Sequence, residues 1–399
     1  MLTNPYHQAR DTTTVNNSSI EFNTSARPFI RATGQIAVDR AIAELRRGGL
    51  VAIRASRDLD RLAVAAGSEM ATRELMSQMS VIAGSEPRVV LTRNRAAAVL
   101  GSATEAPAVS VAMANDLDVD AVLDLADPTR NAGIPSGLTA LPERADTPAT
   151  AAVKLVKLSR LLPSALVASV HGISASTITA WARELTLLVV DAIEIERFAA
   201  TTSHRLIRAA SAKVPMADAE HCEVIAFRPM DGGTEHVAIR IGKQGNNANP
   251  IMIRIHSACL TGDLLGSLRC DCGEQLRGAI REIANAGGGV LLYLAQEGRD
   301  IGLINKLRAY TLQDLGADTV EANTTLGFDD DERVYFPAAE MLRQLGIDRV
   351  RLMTNNPSKV DQLAACGVKV VERMPHIFAS NSHNERYLKT KAKRSGHLL

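Results

Sequence analysis

Helical and strand-like patterns of hydrophobic residues alternate along the first half of the chain. The segment IAVDRAIAELRRGG, residues 36–49, has apolar residues at helical spacing and ends on a glycine pair, and LVAIRA then has the pattern of a buried strand. The alternation continues through PRVVLT, VDAVLDLA and TAAVKLVKLSRLLPSALVASV. The pattern predicts an α/β domain over residues 35–200.

The second half has a mixed pattern of strands and helices. EVIAFRPMDGGTEHVAIRIG predicts two strands joined by a turn at residues 231–233. After it come the predicted strands PIMIRIHS, VLLYLA and RVRLMT and the predicted helices LRGAIREIANAGGG, NKLRAYTLQDLG and FPAAEMLRQLG. We therefore predict a mixed α/β (α+β) domain over residues 205–399, and a two-domain protein of the α/β class.

The two predicted domains are joined by ARELTLLVVDAIEIERFAATTSHRLIRAASAKVPMA. We interpret this segment as a helix followed by a basic stretch that Pro215 interrupts. The first residues of the chain are rich in Thr, Asn and Ser, which predicts a flexible leader over residues 1–34.

Charge and hydropathy narrow the possible partners. The 45 Lys and Arg nearly balance the 44 Asp and Glu, so no overall field favours a nucleic acid or a membrane surface, and an anionic ligand must be bound by local cations. The longest apolar runs are too short for a membrane span, and the N-terminus lacks the apolar centre of a secretory signal. We expect a cytoplasmic protein without nucleic-acid or membrane partners.

Three of the five cysteines are clustered in HSACLTGDLLGSLRCDCGEQL. An odd, unevenly spaced set does not describe a disulfide framework. Cys259, Cys270 and Cys272 have no fourth Cys or His at zinc-finger spacing, which favours an open, catalytic Zn²⁺ site over a closed, structural one. Buried structural thiols, or a site closed by a distant histidine such as His256, remain alternatives, and we expect Cys222 and Cys366 to be buried thiols.

Further blocks follow the cysteine cluster in order: QEGRDIGL, DTVEAN, LGFDDDER and LMTNNPSK. Together with RIHSACLTGDLLGSLRCDCGEQL they resemble the GTP cyclohydrolase II family, and the resemblance covers the chain from about residue 205 to its end. It implies the first step of riboflavin biosynthesis, the zinc-dependent hydrolysis of GTP to 2,5-diamino-6-(5-phospho-ribosylamino)pyrimidin-4(3H)-one, formate and diphosphate. It also implies Mg²⁺ on the GTP phosphates and a homodimer.

The resemblance also implies roles for individual residues. Cys259, Cys270 and Cys272 are the expected ligands of one catalytic Zn²⁺ per subunit. The residues expected to bind GTP are Arg254, Ile255, His256, Ser257, Ala258, Gln275, Glu297, Gly298, Arg299, Thr319, Thr354 and Lys359. Three further residues are expected to be catalytic: Asp331 as general base, Arg333 in attack on the α-phosphate, and Tyr310 in opening the ring.

The residue types suit these roles with one exception. Arg254, Arg299, Arg333 and Lys359 are a suitable clamp for a triphosphate. Because arginine keeps its proton up to a pH of about 12, we expect Arg333 to be a phosphate clamp and not a nucleophile. Glu297 suits the N1 and N2 hydrogens of guanine, and Arg333 is placed to keep Asp331 ionised.

Two positions depart from the family pattern. Ala258 stands where the family commonly has glutamate, and Asp300 stands where it commonly has glycine. Neither is an expected zinc ligand or phosphate clamp, so we expect the departures to affect kinetics and not the type of reaction.

The first half resembles 3,4-dihydroxy-2-butanone 4-phosphate synthase in outline, but it lacks the residues that carry the synthase reaction. The synthase loop that binds Mg²⁺ is acidic, whereas here it is RASRDLDRLAVAAGSE, in which Asp58 and Asp60 keep some acidity. The His-Thr-Glu triplet of the synthase appears here as Pro148, Ala149 and Thr150. We predict a degenerate, catalytically silent domain that is retained for dimerisation or regulation.

Two other hypotheses remain open at this point. One is a paralogous zinc hydrolase that acts in purine or pyrimidine breakdown. The other is a non-catalytic scaffold that binds GTP.

Overall fold

The computed structural model describes residues 33–56, 61–113, 118–130, 133–134, 136–202, 206–242 and 250–378. The described residues form one compact unit. The flexible leader predicted over residues 1–34 lies almost wholly outside the described residues. In the described part of the chain, no helix combines the length and the apolarity that crossing a bilayer requires.

A seven-stranded sheet is the centre of the first half, with the strand order β5-β4-β3-β6-β2-β1-β7. Its strands are β1 Val51–Arg54, β2 Leu62–Gly67, β3 Arg88–Thr92, β4 Ala108–Met113, β5 Leu138–Glu143, β6 Ser164–Val170 and β7 Leu188–Asp191. The helices are α1 Thr33–Arg46, α2 Arg73–Ala83, α3 Arg93–Leu100, α4 Val119–Ala126, α5 Pro148–Leu158, α6 Ile178–Glu184 and α7 Ala192–Thr202. Two apolar clusters cover the two faces of the sheet, as expected for strands that are buried on both sides.

A second seven-stranded sheet has the order β14-β13-β11-β12-β10-β9-β8. Its strands are β8 Leu206–Lys213, β9 Cys222–Pro229, β10 His236–Gly242, β11 Ile251–Ser257, β12 Gly288–Leu294, β13 Arg349–Met353 and β14 Lys369–Met374. The helices are α8 Cys272–Asn285, α9 Leu303–Asp314, α10 Thr319–Leu326, α11 Phe336–Gln344 and α12 Pro357–Ala365. β11 runs parallel to both β12 and β13, so the carboxyl ends of these three strands meet at one edge of the sheet.

The predicted elements of both halves are present, and the α/β class is confirmed. The connecting segment differs from the prediction, because it contains β7 before the helix α7 and its basic stretch forms β8. β7, LVVD, is too short for its apolar run to be told from part of a helix, and β8 exposes all of its residues except Leu206, so it lacks the buried face of a typical strand. The prediction also did not include β2, β4, β5, α2 and α3 of the first half, or α10 and β14 of the second.

One apolar cluster contains residues from both halves. Ala126 and Leu162 of the first half pack with Ile301, Leu326 and Phe328 of the second. Polar contacts surround the cluster, and in one of them the guanidinium of a buried arginine, Arg95, donates to the carbonyl of Thr325 over 3.1 Å. The boundary between domains at residues 200–205 stays a prediction.

Candidate active site and metal centre

The predicted site residues converge on one pocket at the carboxyl edge of the second sheet. Every expected GTP-binding residue lines this pocket, as do the three clustered cysteines, Tyr310 and Arg333. Asp331 is not part of the lining, but it is bonded to Arg333, which is. The position agrees with the general rule that open α/β sheets bind ligands beyond the carboxyl ends of their parallel strands.

The three cysteines form a group of ligand atoms within 4.8 Å of one another. Cys259 follows the end of β11, and Cys270 and Cys272 lie at the start of α8. The sulfurs of Cys259 and Cys270 are 3.7 Å apart, close to the separation of about 3.8 Å that two thiolates have on a tetrahedral Zn²⁺ with bonds of about 2.3 Å. The arrangement therefore suits a single metal ion held by three thiolates.

Gly262 leaves room for this cluster. It lies in a π-helical turn, Leu260–Leu264, between the cysteines. A Cβ at this position would lie 2.8 Å from the sulfur of Cys270 and 3.1 Å from that of Cys259. Any larger residue would therefore displace the thiols.

His256 does not belong to the ligand group, which contradicts its alternative role as a fourth ligand. Its Nε2 lies 3.0 Å from a carboxylate oxygen of Asp263, and the same carboxylate accepts from Tyr293 Oη and from the backbone N–H of Cys259. Burial lowers the pKa of His256, although Asp263 raises it. Asp263 thus fixes the turn that carries Cys259, the first cysteine of the cluster.

Lys306 of α9 is a buried cation beside the cysteine cluster that was not predicted from the sequence. Its Nζ donates to the sulfur of Cys259 over 3.2 Å, to Thr261 Oγ1 over 2.9 Å and to Glu297 over 2.8 Å. Hydrogen bonds from Cys270 and Cys272 lower the pKa of Cys259, and Lys306 lowers it further. Lys306 therefore places a positive charge beside the thiol of Cys259.

Arg254 lies under the floor of the pocket. Its guanidinium donates to the carbonyl of Met353 over 2.8 Å and to the side-chain oxygen of Gln275. Burial lowers the pKa of Arg254 to about 10, so it remains charged near neutral pH. Two buried polar atoms, Arg254 Nε and Ser257 Oγ, have no hydrogen-bond partner in the described part of the chain, so both are open to a ligand.

The loop after β12 has an unusual backbone. Gly298, Arg299 and Asp300 have φ values of 65°, 62° and 74°, in the left-handed region. Burial raises the pKa of Asp300 to about 6, although Arg160 lowers it. The side chain of Arg299 donates to Asp330, which ties this loop to the segment that contains Asp331.

Asp331 and Arg333 form a local ion pair. Nε of Arg333 donates to one oxygen of Asp331 over 2.7 Å, Nη2 donates to the other, and the backbone N–H of Arg333 also donates to the carboxylate. Burial raises the pKa of Asp331, but the hydrogen bonds and charge of Arg333, with the charge of Arg299, outweigh it and lower the pKa. The expectation that Arg333 keeps Asp331 ionised agrees with this geometry.

Helix N-termini supply further polar groups. Thr319 begins α10, and Lys359 lies in the first turn of α12, which Pro357 starts as predicted. Thr354 and Lys359 are buried, and Lys359 Nζ donates to the carbonyl of Ile255 over 3.3 Å. A helix N-terminus beside a buried lysine is a favourable place for a phosphate.

The pocket also includes residues that the sequence reasoning missed. They are Arg269, Asp271, Ile301, Lys306, Ala309, Gln313, Asn323, Asn355 and Asn356. Arg269 lies over the ring of Tyr310, with its guanidinium carbon 4.8 Å from the ring centre. Asn355 and Asn356 belong to the quoted block LMTNNPSK, so inspection of that block residue by residue would have found them.

The three residues that replace the synthase triplet carry no carboxylate or imidazole. Pro148 begins α5, Ala149 is buried, and the hydroxyl of Thr150 donates to the carbonyl of Arg144 over 2.8 Å. Asp58 and Asp60 lie outside the described residues.

The predicted loop RASRDLDRLAVAAGSE contains strand β2, so only residues 55–61 connect two strands. Arg54, at the end of β1, forms a bidentate bond with Asp191, at 2.6 and 2.9 Å. Glu69, after β2, pairs with Arg308 of the second half over 3.3 Å.

Comparisons with known proteins point to one family. The GTP cyclohydrolase II family model matches residues 207–375. The GTP cyclohydrolase-2 of Azospirillum brasilense is 50% identical over 365 residues, which are 91% of this chain and 94% of the relative. The GTP cyclohydrolase-2 of Cronobacter sakazakii is 52% identical over 195 residues, 49% of this chain and 98% of the relative.

Solved structures give weaker likenesses. A two-domain 3,4-dihydroxy-2-butanone 4-phosphate synthase from A. baumannii aligns with 86% of this chain and 99% of its own at 14% identity and a TM-score of 0.34. A 3,4-dihydroxy-2-butanone 4-phosphate synthase in complex with two magnesium ions aligns with 41% of this chain and 97% of its own at 16% identity and a TM-score of 0.33. We draw no conclusion about this chain from TM-scores below 0.5.

Proposed function

The chain belongs to the GTP cyclohydrolase II family of enzymes, and from that premise we propose that it hydrolyses GTP in the first step of riboflavin biosynthesis. The proposed products are 2,5-diamino-6-(5-phospho-ribosylamino)pyrimidin-4(3H)-one, formate and diphosphate. The observation that supports the proposal best is that three cysteine thiols and six Arg and Lys side chains line one pocket. Four of these cations are assigned to the triphosphate, Arg254, Arg299, Arg333 and Lys359, whereas Lys306 contacts Cys259 and Arg269 lies over the ring of Tyr310.

Cys259, Cys270 and Cys272 would hold Zn²⁺, because their sulfurs have a spacing that fits a tetrahedral ion with one position left open. When bound, Zn²⁺ supplies the Lewis acidity that makes water a nucleophile near neutral pH. Lys306 offsets the negative charge of the three thiolates from within the protein. Asp263 holds the backbone of Cys259 in place through a 3.0 Å hydrogen bond.

The four cations assigned to the triphosphate bind and orient it. GTP carries about four negative charges, and guanidinium groups grip phosphate oxygens in pairs. Arg333 is already oriented by Asp331, so its fork is fixed before the substrate arrives. In this proposal Arg333 stabilises charge at the α-phosphate and does not attack it, because a free guanidine would be needed for attack. Mg²⁺ on the phosphates would complete the neutralisation.

Glu297 recognises guanine in this proposal. Its two carboxylate oxygens already accept from Lys306 and from the backbone N–H of Leu260, which fixes the orientation of the carboxylate. Each oxygen has a second lone pair, which is free for the N1 and N2 hydrogens of the base. Adenine would present an acceptor in place of the N1 hydrogen and would be rejected.

Tyr310 and Asp331 move protons. Burial raises the pKa of Tyr310, although its contact with Thr261 lowers it, so the phenol stays protonated near neutral pH and serves as a donor during ring opening. Asp331 has a lowered pKa, so it is ionised and serves as an acceptor.

We propose that residues 35–200 are a synthase-like domain without synthase activity. Mg²⁺ requires oxygen ligands, and the His-Thr-Glu triplet of the synthase is replaced by Pro148, Ala149 and Thr150, so both the glutamate and the histidine are lost. Incubation with ribulose 5-phosphate and Mg²⁺ should give no dihydroxybutanone phosphate, and formation of that product would contradict the proposal. The homodimer and the cytoplasmic location stay predictions.

The central experiment incubates the purified protein with GTP, Zn²⁺ and Mg²⁺. We expect release of formate and diphosphate together with the diaminopyrimidine, detected by mass spectrometry. Formate released only from other purines or from uracil-derived substrates would favour the hydrolase of nucleobase breakdown. GTP binding without any product would favour the scaffold.

A further inference from the structure

The segment that contains Asp331 and Arg333 is held by the first half of the chain. We call residues 327–333 the catalytic segment. Thr92 Oγ1 donates to the carbonyl of Gly327 over 2.7 Å, and Asn94 Nδ2 donates to that of Phe328 over 2.7 Å. A Cβ on Gly327 would lie 2.8 Å from Thr92 Oγ1, so the two halves are in close contact here.

Lys157 of α5 connects two carboxylates of the catalytic segment. Its Nζ lies 2.8 Å from Asp329 Oδ2 and 2.8 Å from Glu332 Oε1. The carboxylate of Glu332 also accepts from the backbone N–H of Asp329 over 2.7 Å, which closes the segment on itself. Burial lowers the pKa of Lys157, but the two carboxylates raise it above its ordinary value, so Lys157 is charged at neutral pH. The bonded residues flank Asp331 on both sides.

Arg160, three residues further along, contacts the neighbouring loop of the site. Its Nη2 lies 2.7 Å from Asp300 Oδ1 and 3.3 Å from the carbonyl of Ala295. The same loop contacts the catalytic segment, because the backbone N–H of Glu332 donates to the carbonyl of Arg299 over 3.2 Å. Lys157 near the end of α5 and Arg160 just after it therefore contact two adjoining segments, residues 298–300 and 327–333, and both segments contribute residues to the pocket.

We infer that Lys157 is a positioning residue for the reaction, through which the first half of the chain sets the location of Asp331 and Arg333. The inference rests on the proposed function. It assigns a role to the first half of the chain, which we propose has no synthase activity. The GTP cyclohydrolase-2 of Cronobacter sakazakii matches 49% of this chain over 98% of its own length, whereas that of Azospirillum brasilense matches 91% of this chain. We therefore expect the contact from Lys157 to matter in chains that contain both halves.

The test compares two lysines of α5. In Lys157→Met the charge is lost and most of the apolar stem remains. We expect kcat/KM for GTP to fall by about tenfold to a hundredfold, mainly through kcat, because displacement of catalytic groups by about 1 Å has effects of this size. Lys157→Arg should restore most of the loss. The matched control is Lys154→Met, one turn earlier, because Lys154 pairs with Glu196 within the first half over 2.8 Å and should leave kcat/KM unchanged.

A second measurement does not depend on turnover. Amide hydrogen exchange of peptides that cover residues 327–333 should be faster in Lys157→Met than in Lys154→Met. Equal exchange and a kcat/KM within twofold in the two variants would overturn the inference. A loss of activity that only follows a loss of folded protein, measured by circular dichroism, would also overturn it. If the unaltered protein releases no formate from GTP, the proposed function fails, whereas hydrogen exchange still decides whether Lys157 holds the segment.

Discussion

The ammonium nitrogen of Lys306 lies 3.2 Å from the sulfur of Cys259, so a buried cation faces the cysteine cluster. Three thiolates on a divalent ion leave one net negative charge in a half-buried site, and Lys306 is the neighbouring charge that offsets it.

Lys306→Met should therefore weaken metal binding. We expect Zn²⁺ affinity to fall by about tenfold to a hundredfold, the usual effect of removing a group that supports a metal ligand. Competition with a chromophoric chelator measures this directly. Thr311→Ala on the same helix is the control, because the described contact of its hydroxyl is a 3.3 Å bond to the carbonyl of Leu307. Equal Zn²⁺ affinities of Lys306→Met and the unaltered protein would contradict the proposed role of Lys306 in metal binding.

Cys270→Ser should remove both the metal and the reaction. We expect the Zn²⁺ content by atomic absorption to fall from about one per chain to near zero, and formate, diphosphate and the diaminopyrimidine to be lost together, because one of three ligands is gone. Cys366→Ser should keep the metal and the activity, because Cys366 packs at the edge of the apolar core of the second sheet. Normal formate release by Cys270→Ser would place the chemistry elsewhere.

Asp331 should contribute to the pH dependence of stability. Because its pKa is lowered in the folded protein, the ionised carboxylate stabilises the fold above the unfolded value of about 3.9. This contribution is lost as the pH falls through the lower, folded-state value. In Asp331→Asn the free energy of unfolding, measured in urea at pH 6 and pH 3, should therefore differ less between the two values than in the unaltered protein. An unchanged difference would mean that Asp331 is not held ionised.

Asp331→Asn should also slow the reaction. A general acid or base contributes roughly a hundredfold to ten-thousandfold, so we expect kcat to fall within this range while Zn²⁺ content stays the same. A loss below tenfold would exclude Asp331 as the base.

Asp300 allows a test of backbone strain. Its φ of 74° is costly for a residue with a Cβ, by about 1–2 kcal/mol for most side chains. Both Asp300→Gly and Asp300→Ala lose the 2.7 Å ion pair with Arg160, but only glycine relieves the strain. We expect the glycine variant to exceed the alanine variant by about 1 kcal/mol in free energy of unfolding. Equal stabilities would mean that the loop relaxes in the alanine variant.

The sequence predicts the parts of the site that are local. Arg333 and Asp331 are two residues apart, so their ion pair follows from LGFDDDER alone, and Pro357 marks the start of α12. The spacing of the cysteines left a metal site and a buried core as alternatives. Their sulfur separation and the space that Gly262 leaves favour the metal site.

Contacts between distant residues leave no local pattern. Lys157 precedes Glu332 by more than a hundred residues, and in the sequence it is one of several polar positions on an amphipathic helix. Lys306 lies in the segment NKLRAYTLQDLG, where a lysine is ordinarily exposed. Such residues are recognised only when the fold brings their partners together.

The apolar cluster that contains Ala126 and Leu162 from one half and Ile301, Leu312 and Phe328 from the other also matters for handling the protein. Truncation near residue 205 would uncover these side chains on the second half. An isolated fragment should then aggregate on expression, unless substitutions at the uncovered positions restore a polar surface. A soluble minimal catalyst derived from this chain therefore requires surface redesign as well as deletion.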